Sequence, residues 1–256
     1  MATIQKRLDI LTKKWWFYLI ILIIFFLPSY SSLAYDPRHT SDLITAVLSQ
    51  PLIYSFPLIM PIFKLVPILL VLALIIWGDK ITRLFDIYAA ITITLFALFQ
   101  NMAVTKVFGF AALVGNVVVY LLVAFFWFWE SIIKTNVLIL RGQPLWRYWV
   151  VPVAFLGFWF PVNPANLGPE FSISQLFANS AGLTTCMMLP VYMAILTLCY
   201  PSINRSVLRV TCFAGFITAC LNLMQWFLFS TQTWMGIMHF PLLTISLYGL
   251  ILSFKK

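Results

Sequence analysis

Apolar stretches of roughly 20 residues recur along this chain, and its Lys and Arg residues crowd into alternate gaps between them. A helix crossing the ~30 Å hydrocarbon core of a bilayer needs about 20 mostly apolar residues. Such stretches lie near 15–34, 58–77, 84–102, 107–130, 145–161, 183–200, 207–230 and 234–254, which makes eight. The chain is 62% hydrophobic and 9% charged, with a mean hydropathy of +0.99. No soluble core of 256 residues needs that much apolar surface, so lipid is the expected solvent.

The basic residues select among topologies. With eight spans and a cytoplasmic N-terminus, 13 fall inside: Lys6, Arg7, Lys13, Lys14, Lys80, Arg83, Lys134, Arg141, Arg147, Arg205, Arg209, Lys255 and Lys256. Only Arg38, Lys64 and Lys106, three in all, fall outside. A ninth span at 43–57 would turn that split into 6 inside and 10 outside, against the excess of Lys and Arg in cytoplasmic loops. Residues 43–57 carry Pro51 and Pro57 and are read as a re-entrant or interfacial segment.

The expected fold is therefore an all-α, polytopic transmembrane helical bundle of about eight spans in the cell membrane. Both termini are cytoplasmic, and 1–256 forms one membrane domain with outer segments 35–57 and 162–182 as lid or vestibule. Its helices should pack through small residues such as Gly109, Gly115, Ala214 and Gly215. Two alternatives stay open within this fold. Lys13 and Lys14 precede an apolar run, and Ser32-Leu33-Ala34 resembles a signal-peptidase site, although Trp15, Trp16 and Tyr30 favour retention. A four-plus-four repeat over 1–130 and 131–256 would fit the shared loop pattern, with three identities in sixteen when 86–101 is shifted by 125 residues.

The polar inventory excludes several chemistries. Asp86 and Glu130 lie at cytoplasmic helix ends, where Arg83–Asp86 and Glu130–Lys134 have ion-pair spacing. No ionisable residue sits in mid-span, which argues against a proton pump or carboxylate relay. His39 and His239 share no helix, and Cys186, Cys199, Cys212 and Cys220 have no CxxC spacing. Neither a cofactor nor a metal is expected. Asp36, His39 and Asp42 are read as a solvated loop, and no soluble basic patch offers a nucleic-acid interface.

Measured from the outer boundary at 1.5 Å per residue, Cys186, Gln225 and His239 share a depth of roughly 6–8 Å. Ser180 sits at the rim and Asn222 one turn deeper than Gln225. A nucleophile, an imidazole and amide donors at one depth are the parts of an acyl-transfer site, yet such residues also tie membrane helices together by hydrogen bonds.

Three segments carry a family resemblance: Ser180-Ala181-Gly182-Leu183, Asn222-Leu223-Met224-Gln225 and Gly236-Ile237-Met238-His239. Over about 178–254 the chain resembles the exosortase/archaeosortase family of membrane-embedded cysteine transpeptidases. That family's motifs run Cys-Ser-Gly-Leu/Ile, Asn-x-x-Arg and a Gly-x-x-His-like element. Here Ser180 stands where the nucleophilic Cys is expected, and Gln225 where the catalytic Arg is expected. The resemblance implies Ser180 or Cys186 as nucleophile, His239 as base, Asn222 and Gln225 as polarising donors, and exported proteins as substrates.

Two other function classes stand beside it. One is a permease for a small neutral or weakly charged solute, its path lined by Asn101, Asn116, Asn222 and Gln225. The other is a non-catalytic subunit of a membrane complex, with other membrane subunits as partners.

Overall fold

An apolar chain must satisfy its backbone polar groups internally, and helices do this segment by segment. The computed structural model is 71% helical with almost no strand, which fits the all-α class. It describes residues 1–56, 59–164, 166–230 and 232–255. Pro57, expected to interrupt 43–57, and Lys256, counted among the basic-face charges, lie outside the described residues.

In chain order the elements are α1 (Ala2–Leu11), α2 (Trp15–Phe25), β1 (Tyr30–Ser31), α3 (Thr40–Ser49), α4 (Met60–Trp77) and α5 (Thr82–Leu95). Then come β2 (Met102–Thr105), β3 (Gly109–Ala112), α6 (Val114–Ile133), α7 (Val150–Trp159) and α8 (Gln175–Ala178). The last are α9 (Thr185–Leu198), α10 (Arg205–Leu228), α11 (Thr233–Ile237) and α12 (Phe240–Phe254).

Four helical stretches are long and apolar enough to cross a membrane: Met60–Gln100, Val114–Ile133, Arg205–Leu228 and Thr233–Phe254. A fifth is added if Gln175–Leu183 and Thr185–Leu198, bent by 94°, count as one span. Contacts at its two ends make the 41-residue stretch Met60–Gln100 double back on itself. Near its start, the Phe63 carbonyl lies against Gly182 so closely that a methyl there would overlap it. At its end, Gln100 Oε1 accepts the Thr185 backbone N–H at 2.8 Å. Gly182 and Thr185 are three residues apart, so both ends of the stretch meet at one end of the bundle. The reversal falls at the 3₁₀ turn Gly78–Ile81, opened by Gly78 at φ +57.

Hydrogen bonds define two polar ends. At the basic end, Gln5 Nε2 donates to Asn204 Oδ1 at 2.9 Å and Trp129 Nε1 to Gln5 Oε1 at 2.9 Å. Val137 N donates to Ser202 O at 2.9 Å, and Leu138 N to Thr82 Oγ1 at 3.2 Å. Arg209 is fully buried and ties α1 to α10 and α12, donating to Asp9 Oδ1 at 2.7 Å and to the Ser253 carbonyl at 2.9 Å. Partial burial of Asp9 works to raise its pKa, but hydrogen bonds and charge from Lys13 and Arg209 outweigh this and hold it below its ordinary value.

At the other end a small antiparallel sheet in the order β1-β3-β2 forms, with Met102 opposite Ala112 and Tyr30 also opposite Ala112. Leu43 and Val47 of α3 pack on this hairpin against Ala103, Phe108, Ala111 and Leu113. The same end holds Trp159, Asn179 and Trp234, the last donating to the Pro161 carbonyl at 2.9 Å. The main core lies between the ends, where Phe85, Trp127 and Tyr192 meet edge to face.

Several helix boundaries differ from the hydropathy reading. The 15–34 stretch is helical only to Phe25, because Pro28 and the strand Tyr30–Ser31 follow. The 84–102 and 107–130 stretches lose their facing ends to β2 and β3, whose apolar side chains are indistinguishable by hydropathy from helix. The 145–161 stretch holds a 3₁₀ turn at Leu145–Arg147 and only ten residues of α7. Residues 43–57 hold the end of α3 and a 3₁₀ turn at Leu52–Ser55.

Candidate functional site

The nucleophile and base candidates fall into separate hydrogen-bond sets. Ser180 opens the 3₁₀ turn Ser180–Leu183, capped by Asn179, whose Oδ1 accepts from Ala181 N at 3.1 Å. Its hydroxyl oxygen accepts from Tyr54 at 3.4 Å, a long contact. Cys186 sits in the first turn of α9, where Asn222 Nδ2 approaches its Sγ at 3.7 Å. Asn222 also donates to the Thr218 carbonyl at 2.9 Å. His239 is buried at the start of α12, with Nδ1 2.7 Å from the Met235 carbonyl. A carbonyl only accepts, so Nδ1 carries the proton. Among the described residues no hydrogen bond joins His239 to Ser180, Cys186, Asn222 or Gln225.

The amides are arranged differently. A cavity of about 510 Å³ opens between the C-terminal end of α2, α3, the start of α6 and the end of α10. That volume is within the ~300–1,000 Å³ range of small-molecule sites. Its polar lining includes Ser29, Thr40, Thr45, Ser49, Asn116, Thr218, Asn222 and Gln225, set among apolar residues such as Phe25, Leu221 and Trp226. Asn101 supports Asn116 from behind, accepting its Nδ2 at 2.9 Å and itself donating to the Phe96 carbonyl at 2.9 Å. No ionisable side chain is among the described residues that line the cavity.

Depth follows from helix geometry. From Leu228, the end of α10, to Thr218 is about 15 Å at 1.5 Å per residue, half of a ~30 Å core. Tyr120 meets Thr218 at this level, and Trp127 Nε1 donates to Thr211 at 3.0 Å further down, so the bundle beneath is packed. This packed layer closes the cavity toward the basic end. Helix α3 forms its outer wall: Leu43 and Val47 are anchored in the hairpin, while Ile44, Thr45, Leu48 and Ser49 face the cavity. This wall follows from the amphipathic spacing of 40–49, a signal that the prolines after it obscure.

A second polar cluster corrects the ion pairs read from spacing. Neither Arg83–Asp86 nor Glu130–Lys134 forms among the described residues. Glu130, 0% exposed, instead accepts four hydrogen bonds at 2.5–2.6 Å: from the Thr135 and Asn136 backbone N–H groups, the Thr135 hydroxyl and Asn204 Nδ2. Asp86, 1% exposed, receives one bond from Asn136 Nδ2 at 3.0 Å, and its Oδ2 has no partner. On the surface, His39 Nδ1 lies 2.9 Å from Asp42 Oδ2, both side chains 64% exposed.

Among the described residues no three His, Cys, Asp or Glu side chains gather as a metal site, and all four cysteines are unpaired. No protein-family model, curated protein or solved structure matches this chain.

Proposed function

We propose that this chain is a multi-pass protein of the cell membrane that crosses the bilayer eight times, with both termini in the cytoplasm. Its charge-free cavity receives a small neutral solute from the outer face, as in a permease. The alternation of segments supports the topology: 1–12, 78–86, 130–147, 199–209 and 253–255 are hydrogen-bonded at the basic end. Residues 30–55, 100–112, 158–164, 166–185, 230 and 232–239 gather at the other. Excess positive charge marks the cytoplasmic side.

The observation that carries the function is the cavity lining. Asn116, Asn222 and Gln225 offer amide donors and acceptors within apolar walls, with no charge to attract an ion. Such a lining suits a solute bearing hydroxyl or amide groups. Packing around Tyr120 and Trp127 beneath it makes this an outward-open arrangement.

A second reading, an exosortase-like transpeptidase acting on exported proteins, rests on the Asn222–Cys186 approach of 3.7 Å. The two are separated by reconstituting the protein in vesicles and following glycerol and urea permeation by light scattering. The permease reading expects faster permeation than in protein-free vesicles. Gln225→Leu and Asn222→Leu should return the rate toward that baseline, while Cys186→Ala leaves it unchanged. Wild-type vesicles no faster than protein-free ones contradict the permease. Failure of exported-protein processing in cells carrying Cys186→Ala would favour the transpeptidase.

A further inference from the structure

A second cavity, about 520 Å³, lies between α4, α7 and α9 and has no role in the proposed solute path. Its walls are apolar: Pro67, Val71 and Ile75 on α4, Ala154 on α7, and Ala194 and Leu198 on α9. From Pro67 to Ile75 is about 12 Å along the helix axis, close to the depth of one leaflet of a ~30 Å core. Small side chains at 154 and 194 leave the floor of the groove open where larger ones would fill it.

The groove is not symmetric along its length. Among the described residues that line it, Arg141 alone is charged, beside Leu140 and Tyr148 at the basic end. The Arg141 side chain is exposed, and none of the described residues gives it a hydrogen bond or ion pair. Arg147 adds positive charge at the same rim, donating to the Leu198 carbonyl at 3.4 Å. An apolar slot one leaflet deep, ending at an unpaired guanidinium, matches an amphiphile with an apolar tail and an anionic head. The anionic lipids of a cytoplasmic leaflet present that chemistry at that height.

We propose that this groove holds an acyl chain of an anionic phospholipid, with its headgroup on Arg141. The leaflet named here rests on the orientation proposed above, but the charge and shape of the site do not. Permeation and lipid retention are read separately, so either can fail without the other.

The test uses the full chain in bilayer discs with equal phosphatidylglycerol and phosphatidylcholine, followed by native mass spectrometry of the lipid that stays bound. Phosphatidylglycerol should be retained in preference. Arg141→Ala should lower its retention about fivefold, the order expected for one basic side chain at an anionic surface. Arg141→Lys should keep part of the preference. Leu72→Trp places a large ring in the groove from a half-exposed position and should remove retention of both lipids. Unchanged elution volume shows that each variant is folded. Equal retention of the two lipids by the wild type, full retention by Arg141→Ala or by Leu72→Trp, or a bound protein in place of lipid would overturn the proposal.

Discussion

Asp86 and Glu130 are buried acids a few residues from basic neighbours, and neither is neutralised by one. Their hydrogen bonds separate their roles. Every acceptor direction of Glu130 is used, and two of its donors are backbone N–H groups that would otherwise be orphaned beyond the end of α6. Asp86 has one donor and one oxygen without a partner. Glu130→Gln replaces an acceptor oxygen with an amide nitrogen facing donors, and should cost about 1–3 kcal/mol. Asp86→Asn removes a poorly satisfied carboxyl and should leave thermal stability in detergent unchanged or raised. Equal losses from the two changes would contradict this division. The spacing of Glu130 and Lys134 suggested an ion pair because it assumed continuous helix. Helix α6 ends at Ile133, and Lys134 turns to φ +56, where the i,i+4 relation no longer holds.

At the scale of elements, close approach of backbones sets the architecture. Gly115 at the start of α6 lies against the carbonyls of Ile24 and Phe25, which a methyl would strike. A methyl added at Gly157 would meet its nearest neighbour, Pro241, at 3.3 Å. Gly115→Ala should therefore lower stability by about 1–3 kcal/mol, and Gly157→Ala by clearly less, as read from melting temperatures. Indistinguishable melting would mean that α2 and α6 do not hold this contact. The helices themselves were largely legible, since long apolar runs in 60–77, 114–133, 205–228 and 233–254 have few other ways to satisfy their backbone. The hairpin was not, because Met102–Thr105 and Gly109–Ala112 read as extensions of the flanking spans. Lys106 and Gly109, which takes φ +63 in the turn, were the available signals. The shared depth of Cys186, Gln225 and His239 came from counting along helices, which gives height but not rotation. Rotation directs Gln225 into the cavity and gives His239 the Met235 carbonyl of the preceding helix α11.

For the molecule as a whole, the uneven charge is sharper than the sequence count implied. Lys64, one of three basic residues assigned to the outer side, is fully buried; its amine donates to the Phe158 carbonyl and lies 4.3 Å from the Phe158 ring. Arg38 and Lys106 are then the only exposed Lys or Arg side chains at the hairpin end among the described residues. Basic side chains thus gather at one end of the bundle, and the charge-free cavity lies toward the other. The direct test places a single cysteine at position 225, in a chain whose four native cysteines are replaced, and applies a membrane-impermeant maleimide to intact cells. Gln225→Cys should react from outside, and Lys134→Cys only after permeabilisation. Labelling of Lys134→Cys from outside, with Gln225→Cys silent, would contradict both the orientation and the outward-open cavity.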